Sequence, residues 1–118
     1  MKYLCLIYSD EKKRDALPRE EMEAIKRKFF AYTDSIKKSG HYLGGEALEP
    51  TQTAKTVRSR DGKVVSTDGP FVETKEQLGG FYLIDAKDFD EAVQVASRIP
   101  SASFGSIEVR PVRVFDRE

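Results

Sequence analysis

An α+β domain organised around one sheet is predicted for this 118-residue chain, and three observations predict it. Short apolar runs alternate with stretches of helical periodicity. An Asp61-Gly62 pair sits between two alternating segments, and the elements follow the order strand, helix, strand, hairpin, strand, helix, strand. That order describes a ferredoxin-like βαββαβ core with a β-hairpin inserted between its middle strands.

Each element has a local reason. KYLCLIY, residues 2–8, is short, apolar and aromatic, as a strand covered on both faces requires. Pro18 opens a helix with Glu20, Glu21 and Glu23 near its start and Lys37 and Lys38 at its end, which complements the helix dipole; Gly40 stops it. Met22, Ile25, Phe29, Tyr32 and Ile36 share one helical stripe and read as a core face. HYLGGEAL reads as the second strand, in which Gly44 and Gly45 invite a bulge or a close backbone approach, and Pro50 ends it. TAKTVRSR and KVVST flank Asp61 and Gly62, residues that tolerate the positive φ of a tight hairpin turn. FYLIDA follows as a strand, then a helix capped by Asp88 with Glu91 three positions on, presenting Phe89, Val93 and Ala96 on one face and closed by Pro100. In SIEVRPVRVF, Pro111 removes a ladder donor, so the last strand either lies at an edge or changes face there.

Length and composition bound the function. A chain this short supports one core and one domain, residues 1–118, and leaves its sheet partly uncovered unless it associates. Leu4, Leu6, Tyr82 and Ile84 and their alternates Tyr3, Cys5, Phe81 and Leu83 make the central strands apolar on both sides. Helices cover one side, so a second copy of the sheet packed on the other predicts a homodimer with a barrel-like interior. The 20 basic and 20 acidic side chains cancel, which disfavours nucleic acid or an anionic membrane as a partner. Apolar runs are too short to span a bilayer and the start lacks a signal-peptide pattern, so a cytoplasmic location is expected. Cys5, the one cysteine, sits in an apolar run as a buried inert thiol. With one histidine and one cysteine, neither a metal nor a cofactor is expected.

The segment TDGPFVETKEQLGGFY, Thr67–Tyr82, is the most specific in the chain. Asp68, Gly69 and Pro70 suit a tight turn that a buried Phe71 would anchor. Glu73, Lys75 and Glu76 exceed what a turn needs, although charged loops are commonly just solvated.

With D-G-P-F-x-E-x-K-E-x-x-G-G-F from Asp68 to Phe81, the opening KYLCLIY, A-L-E-P ending at Pro50 and I-E-V-R-P-V from Ile107 to Val112, the chain resembles the DGPF branch of the YCII-related family over nearly its whole length. The resemblance implies a ferredoxin-like fold that dimerises into an α+β barrel, with a site in the cleft between sheet and helices or inside the barrel. It implies little about chemistry: the wider group carries a histidine and aspartate proposed as a catalytic pair, and one member group resembles a dehydrochlorinase acting on chlorinated hydroxyhydroquinones. Relatives are often encoded beside, or fused to, extracytoplasmic-function sigma factors, which implies a possible sigma-factor partner.

On the residues themselves, His41 is the natural general acid or base, because histidine titrates near neutrality; a histidine just past a helix end also favours the helix dipole. Asp68 is its candidate partner, able to fix an imidazole tautomer. Lys75 would meet an anionic intermediate, with Glu73, Glu76 and Phe71 as further substrate contacts. Glu108 and Arg110 share a strand face and suggest an ion pair, and Tyr8, Tyr32 and Tyr82 fit the core before they fit a pocket. Two functions are therefore carried forward. One is a small-molecule enzyme of acid/base or lyase type using His41 and Asp68; the other is a non-catalytic ligand-sensing or regulatory module.

Overall fold

In the computed structural model, which describes residues 1–116, the elements in chain order are β1 (Lys2–Ser9), α1 (Glu11–Asp15), α2 (Arg19–Lys38), β2 (Tyr42–Ala47), β3 (Lys55–Arg60), β4 (Lys63–Asp68), β5 (Gln77–Asp85), α3 (Phe89–Ser97) and β6 (Ser106–Pro111). Residues 117 and 118, the end of the domain expected over 1–118, lie outside the described residues. Four strands form an antiparallel sheet in the order β2-β5-β1-β6, the ferredoxin-like arrangement, and β3 and β4 form a separate two-stranded hairpin.

β1 sits at the centre of the sheet. Leu4 lies opposite Leu83 on one side and Arg110 on the other, and Cys5 lies opposite Tyr82 and Val109. Because side chains alternate across a strand, Tyr3, Cys5 and Ile7 enter the helix-covered core beside Tyr82 and Ile84, and Leu4, Leu6, Phe81 and Leu83 occupy the other face half-buried. β6 pairs with β1 alone and ends at Pro111, as an edge strand should.

α2 begins just after Pro18 and ends ahead of Gly40, whose φ of 82° is the left-handed conformation that glycine reaches without a Cβ clash. Its expected apolar stripe divides. Tyr32 and Ile36 are buried, whereas Ile25 and Phe29 are half-buried and Met22 is 36% exposed, so only the C-terminal half of the stripe is core. On α3, Asp88 caps the helix by accepting from the Glu91 N–H at 2.9 Å, but the buried face is Ala92, Val95 and Ala96 rather than Phe89 and Val93, both 44% exposed. The two alanines explain the difference: small side chains let the helix backbone approach the sheet, and Phe89 turns to the rim to meet Tyr3 edge-on at 5.6 Å.

The hairpin forms as the Asp-Gly signal requires, with φ of 53° at Asp61 and 77° at Gly62. Nearly every residue in it is exposed, so it projects as an arm. The radius of gyration, 16.5 Å, accordingly exceeds the roughly 13 Å of a compact 100-residue domain.

Ile36 is fully buried and Phe30, on the same helix, is 62% exposed. Ile36→Ala is expected to cost about 3 kcal/mol through lost burial and a cavity, and Phe30→Ala to stay within about 0.5 kcal/mol. Urea denaturation of the two variants checks the contrast, and equal losses would contradict this packing.

Candidate functional site: the cleft between the long helix and the sheet

The divided stripe of α2 produces a concavity between helix and sheet. Where Tyr32 and Ile36 pack down, the helix touches the sheet; toward its start Met22, Ile25 and Phe29 stand over a part of the sheet that carries Gly79, Gly80 and Ala47 in place of bulky side chains. The result is a cleft of about 790 Å³, within the usual range for small-molecule sites, with mainly apolar walls. The glycines also answer a backbone constraint. A Cβ on Gly80 would come within 2.8 Å of the Glu46 carbonyl, and one on Gly45 within 2.9 Å of the Phe81 carbonyl.

At the inner end Tyr82 meets Thr33, its hydroxyl 2.7 Å from Thr33 Oγ1. Thr33 donates its own proton to the Phe29 carbonyl at 2.9 Å, so the Tyr82 hydroxyl is the donor in the pair. Burial pushes the Tyr82 phenol up. Tyr32, edge-on to Tyr82 at 5.3 Å, donates to the Val95 carbonyl at 2.7 Å, and burial raises its phenol too.

The outer end is set by α1, which the sequence reading did not anticipate. Asp10 caps it by accepting from the N–H groups of Lys12 and Lys13 at 3.0 and 3.3 Å. The Glu11 N–H donates to Gln77 Oε1 at 2.9 Å, and the Glu11 carboxylate accepts from the N–H and hydroxyl of Thr51. So anchored, α1 holds Arg14 over the bare backbone of Gly79, with Nη1 3.5 Å from where a Cβ would stand. Ser9, Ser101 and Phe104 complete this end. Asp10 followed by a charged helix-forming run was the available signal for α1, but five residues give periodicity nothing to act on.

The residues expected to be functional lie elsewhere. His41 sits where β2 begins, its carbonyl accepting from the Asp85 N–H at 2.8 Å. Its ring bridges Ser39 Oγ, 2.7 Å from Nδ1, and Glu91 Oε1, 3.1 Å from Nε2, beside a shallow concavity of about 410 Å³ shared with Gln94 and Arg98. Asp68 ends β4 in the separate hairpin, and its side chain is 92% exposed and 3.9 Å from Lys55 Nζ. A His41–Asp68 pair therefore does not form within the chain: a strand roughly 20 Å long separates the two positions, and Glu91 takes the place given to Asp68. Phe71 is 76% exposed and does not anchor the turn; Gly69 does, at φ 93°, with its N–H on the Ala54 carbonyl at 2.7 Å and its carbonyl taking the Thr56 hydroxyl at 2.9 Å. Glu73 and Lys75 are exposed, and Glu76 Oε1 accepts from the Ser106 hydroxyl at 2.7 Å. None of Phe71, Glu73, Lys75 and Glu76 lines the cleft. Glu108 and Arg110 form no ion pair among the described residues. Cys5 is fully buried, as expected.

A ferredoxin-like sheet with helices on one face, an inserted hairpin and a helix–sheet cleft places the chain in the α+β barrel class. A solved structure of that fold is similar over 96% of this chain and 94% of its own, with a TM-score of 0.53 at 16% identity: 5-chloro-2-hydroxyhydroquinone dehydrochlorinase from Burkholderia phenoliruptrix, in complex with 2,5-dihydroxybenzoquinone. The family model of the YCII-related domain matches residues 1–116, and the chain belongs to that family. An uncharacterised protein of Rhizobium meliloti (strain 1021) is 41% identical over 117 residues, 98% of this chain and 94% of the relative.

Buried acidic protons beneath the cleft make the fold sensitive to alkali. Burial pushes the Cys5 thiol up from 9.0 to about 11, so its contribution is fully present below the unfolded value and is lost as pH rises through about 11. Tyr32 and Tyr82, also raised, add to the loss from about pH 10 upward, the ordinary tyrosine value. Unfolding free energy measured against pH is expected to fall above about pH 9 by roughly 1.4 kcal/mol per pH unit for each ionising group, and Cys5→Ala to flatten the first part of that fall. A Cys5→Ala curve parallel to the wild type would refute the thiol's share.

Proposed function

We propose that the protein binds a compact planar organic molecule in the cleft between α2 and the sheet, and acts as a homodimer. The observation that carries the first part is the cleft itself: apolar walls from Ile25, Phe29 and Phe104 with polar groups among them, including the Tyr82 hydroxyl and the Arg14 guanidinium. Flat apolar walls select a ring, and the polar groups orient it. The dehydrochlorinase of similar fold, whose structure holds 2,5-dihydroxybenzoquinone, supports a hydroxylated ring as the first ligand to try.

Saturable binding of 2,5-dihydroxybenzoquinone is expected by calorimetry. Phe29→Ala should weaken it about tenfold by removing one wall, the loss of roughly 1.4 kcal/mol of contact. His41→Asn, outside the cleft, should leave it unchanged. Absence of saturable binding, or binding that depends on His41 and ignores Phe29, counts against the reading.

A lyase reaction on such a ligand is the second reading, and the dehydrochlorinase activity of the structure of similar fold favours it. Dehydrochlorination of 5-chloro-2-hydroxyhydroquinone would release chloride, which an ion-selective electrode detects. A ligand sensor would bind the ring without turnover.

The dimer is supported by the open face of the sheet, where Leu4, Leu6, Tyr8, Phe81 and Leu83 lie together only half-buried. It is also supported by the hairpin arm, since an isolated two-stranded hairpin is at best marginally stable in water. Light scattering should give the mass of two chains, and Leu6→Lys, which places a charge at the centre of that face, should give the mass of one. A wild-type monomer would remove the dimer from the proposal and leave the cleft untouched.

A further inference from the structure

One corner of the cleft is chemically distinct from the rest. Ser101 is 2% exposed, lines the cleft, and its Oγ is the one buried side-chain polar atom without a hydrogen-bond partner among the described residues. A buried hydroxyl left unpaired is unusual, because desolvation goes uncompensated. Ser9, 6% exposed, belongs to the same corner: a Cβ built on Gly105 would stand 3.2 Å from Ser9 Cβ and 3.3 Å from the Ser101 carbonyl. Across the end of β5, Arg14 lies over Gly79 and forms no ion pair among the described residues.

Ser9, the unpartnered Ser101 hydroxyl and a guanidinium without an ion pair among the described residues gather at one end of a cleft whose lining also carries the carboxylates of Asp15, Glu23, Asp34 and Glu46. Arginine presents several N–H groups in a plane that suits the paired oxygens of a carboxylate, and its bonds to a charged oxygen are stronger than those to a neutral one. The hydroxyls can add donors from the floor. We infer that Arg14, Ser9 and Ser101 form a subsite for a negatively charged oxygen, so that the ligand is a planar organic anion whose carboxylate or acidic hydroxyl points to this corner. The inference rests on the proposed use of the cleft and deepens it, because it fixes the charge of the ligand and its direction in the site.

Benzoate and benzamide test it, being alike in shape and different in charge. Their affinities are read from the backbone amide resonances of cleft residues such as Gly80 and Phe104. The wild type is expected to bind benzoate about tenfold more tightly than benzamide. Arg14→Gln should abolish that preference and leave benzamide binding in place. Ser101→Ala should weaken benzoate several-fold while leaving thermal stability unchanged or raised, since it removes an unpartnered buried hydroxyl. A residue with only a structural role would show the reverse, lower stability and unchanged selectivity. Equal binding of the two probes by the wild type, or a preference that survives Arg14→Gln, overturns the subsite and leaves the cleft as a neutral-ring site. If neither probe moves the cleft resonances, the cleft reading falls and the subsite falls with it.

Discussion

The seating of Tyr32 and Ile36 on the β1–β5 pair is the contact on which the rest depends. Both side chains are buried with Cys5, Tyr82 and Ile84, so the C-terminal half of α2 cannot lift from the sheet without opening the core. The N-terminal half has no such obligation, because the strands beneath it carry glycine and alanine. One helix thereby serves as core at one end and as the wall of a cavity at the other. Tyr82 marks the boundary, since its ring belongs to the core and its hydroxyl faces Thr33 at the inner end of the cleft.

A second constraint acts through backbone geometry. β2 approaches β5 so closely that neither Gly45 nor Gly80 could carry a Cβ, and both strand pairings of β5 shift register, between Tyr42 and Gly44 on one side and between Ile7 and Tyr8 on the other. The shift between Tyr42 and Gly44 falls opposite Ile84 and Leu83, where Lys37 at the end of α2 lies over the Tyr42 ring, whereas that between Ile7 and Tyr8 falls opposite Gly80 and Leu78, at the glycine end of the cleft where Gly79 is left open for Arg14. Side chains on this part of the sheet would fill the cavity and break the strand pairing together, so fold and site share one requirement.

Much of this was legible in the sequence. Every strand, the long helix and the capped short one, the hairpin turn and the edge position of β6 could be read from periodicity, Asp61-Gly62, Asp88 and Pro111, because each has a local cause. The site was less legible because its causes are not local. Met22, Ile25 and Phe29 have the spacing of core residues, and nothing in that spacing reveals that the strands opposite them are bare. The charged stretch after Phe71 drew attention through its composition, yet composition does not say which way a segment faces. Several of its residues have structural work: Gly69 holds the turn, Glu76 ties to Ser106, and Gln77 reaches both α1 and the Thr74 carbonyl. Arg14 was missed because it sits on a helix too short to show a pattern.

The two faces of the sheet have separate tasks, and that separation has a consequence for assembly. The cleft opens on the helix side, among residues that alternate inward from β1 and β5, while the apolar residues left half-covered alternate outward. The cleft lining, Arg14, Ser9 and Ser101 included, is drawn from α1, α2, β1, β2, β5 and the segment between α3 and β6. Because side chains alternate along β1, a partner seated on the outward face would meet Leu4 and Leu6, and the helix side of that strand would turn away from it.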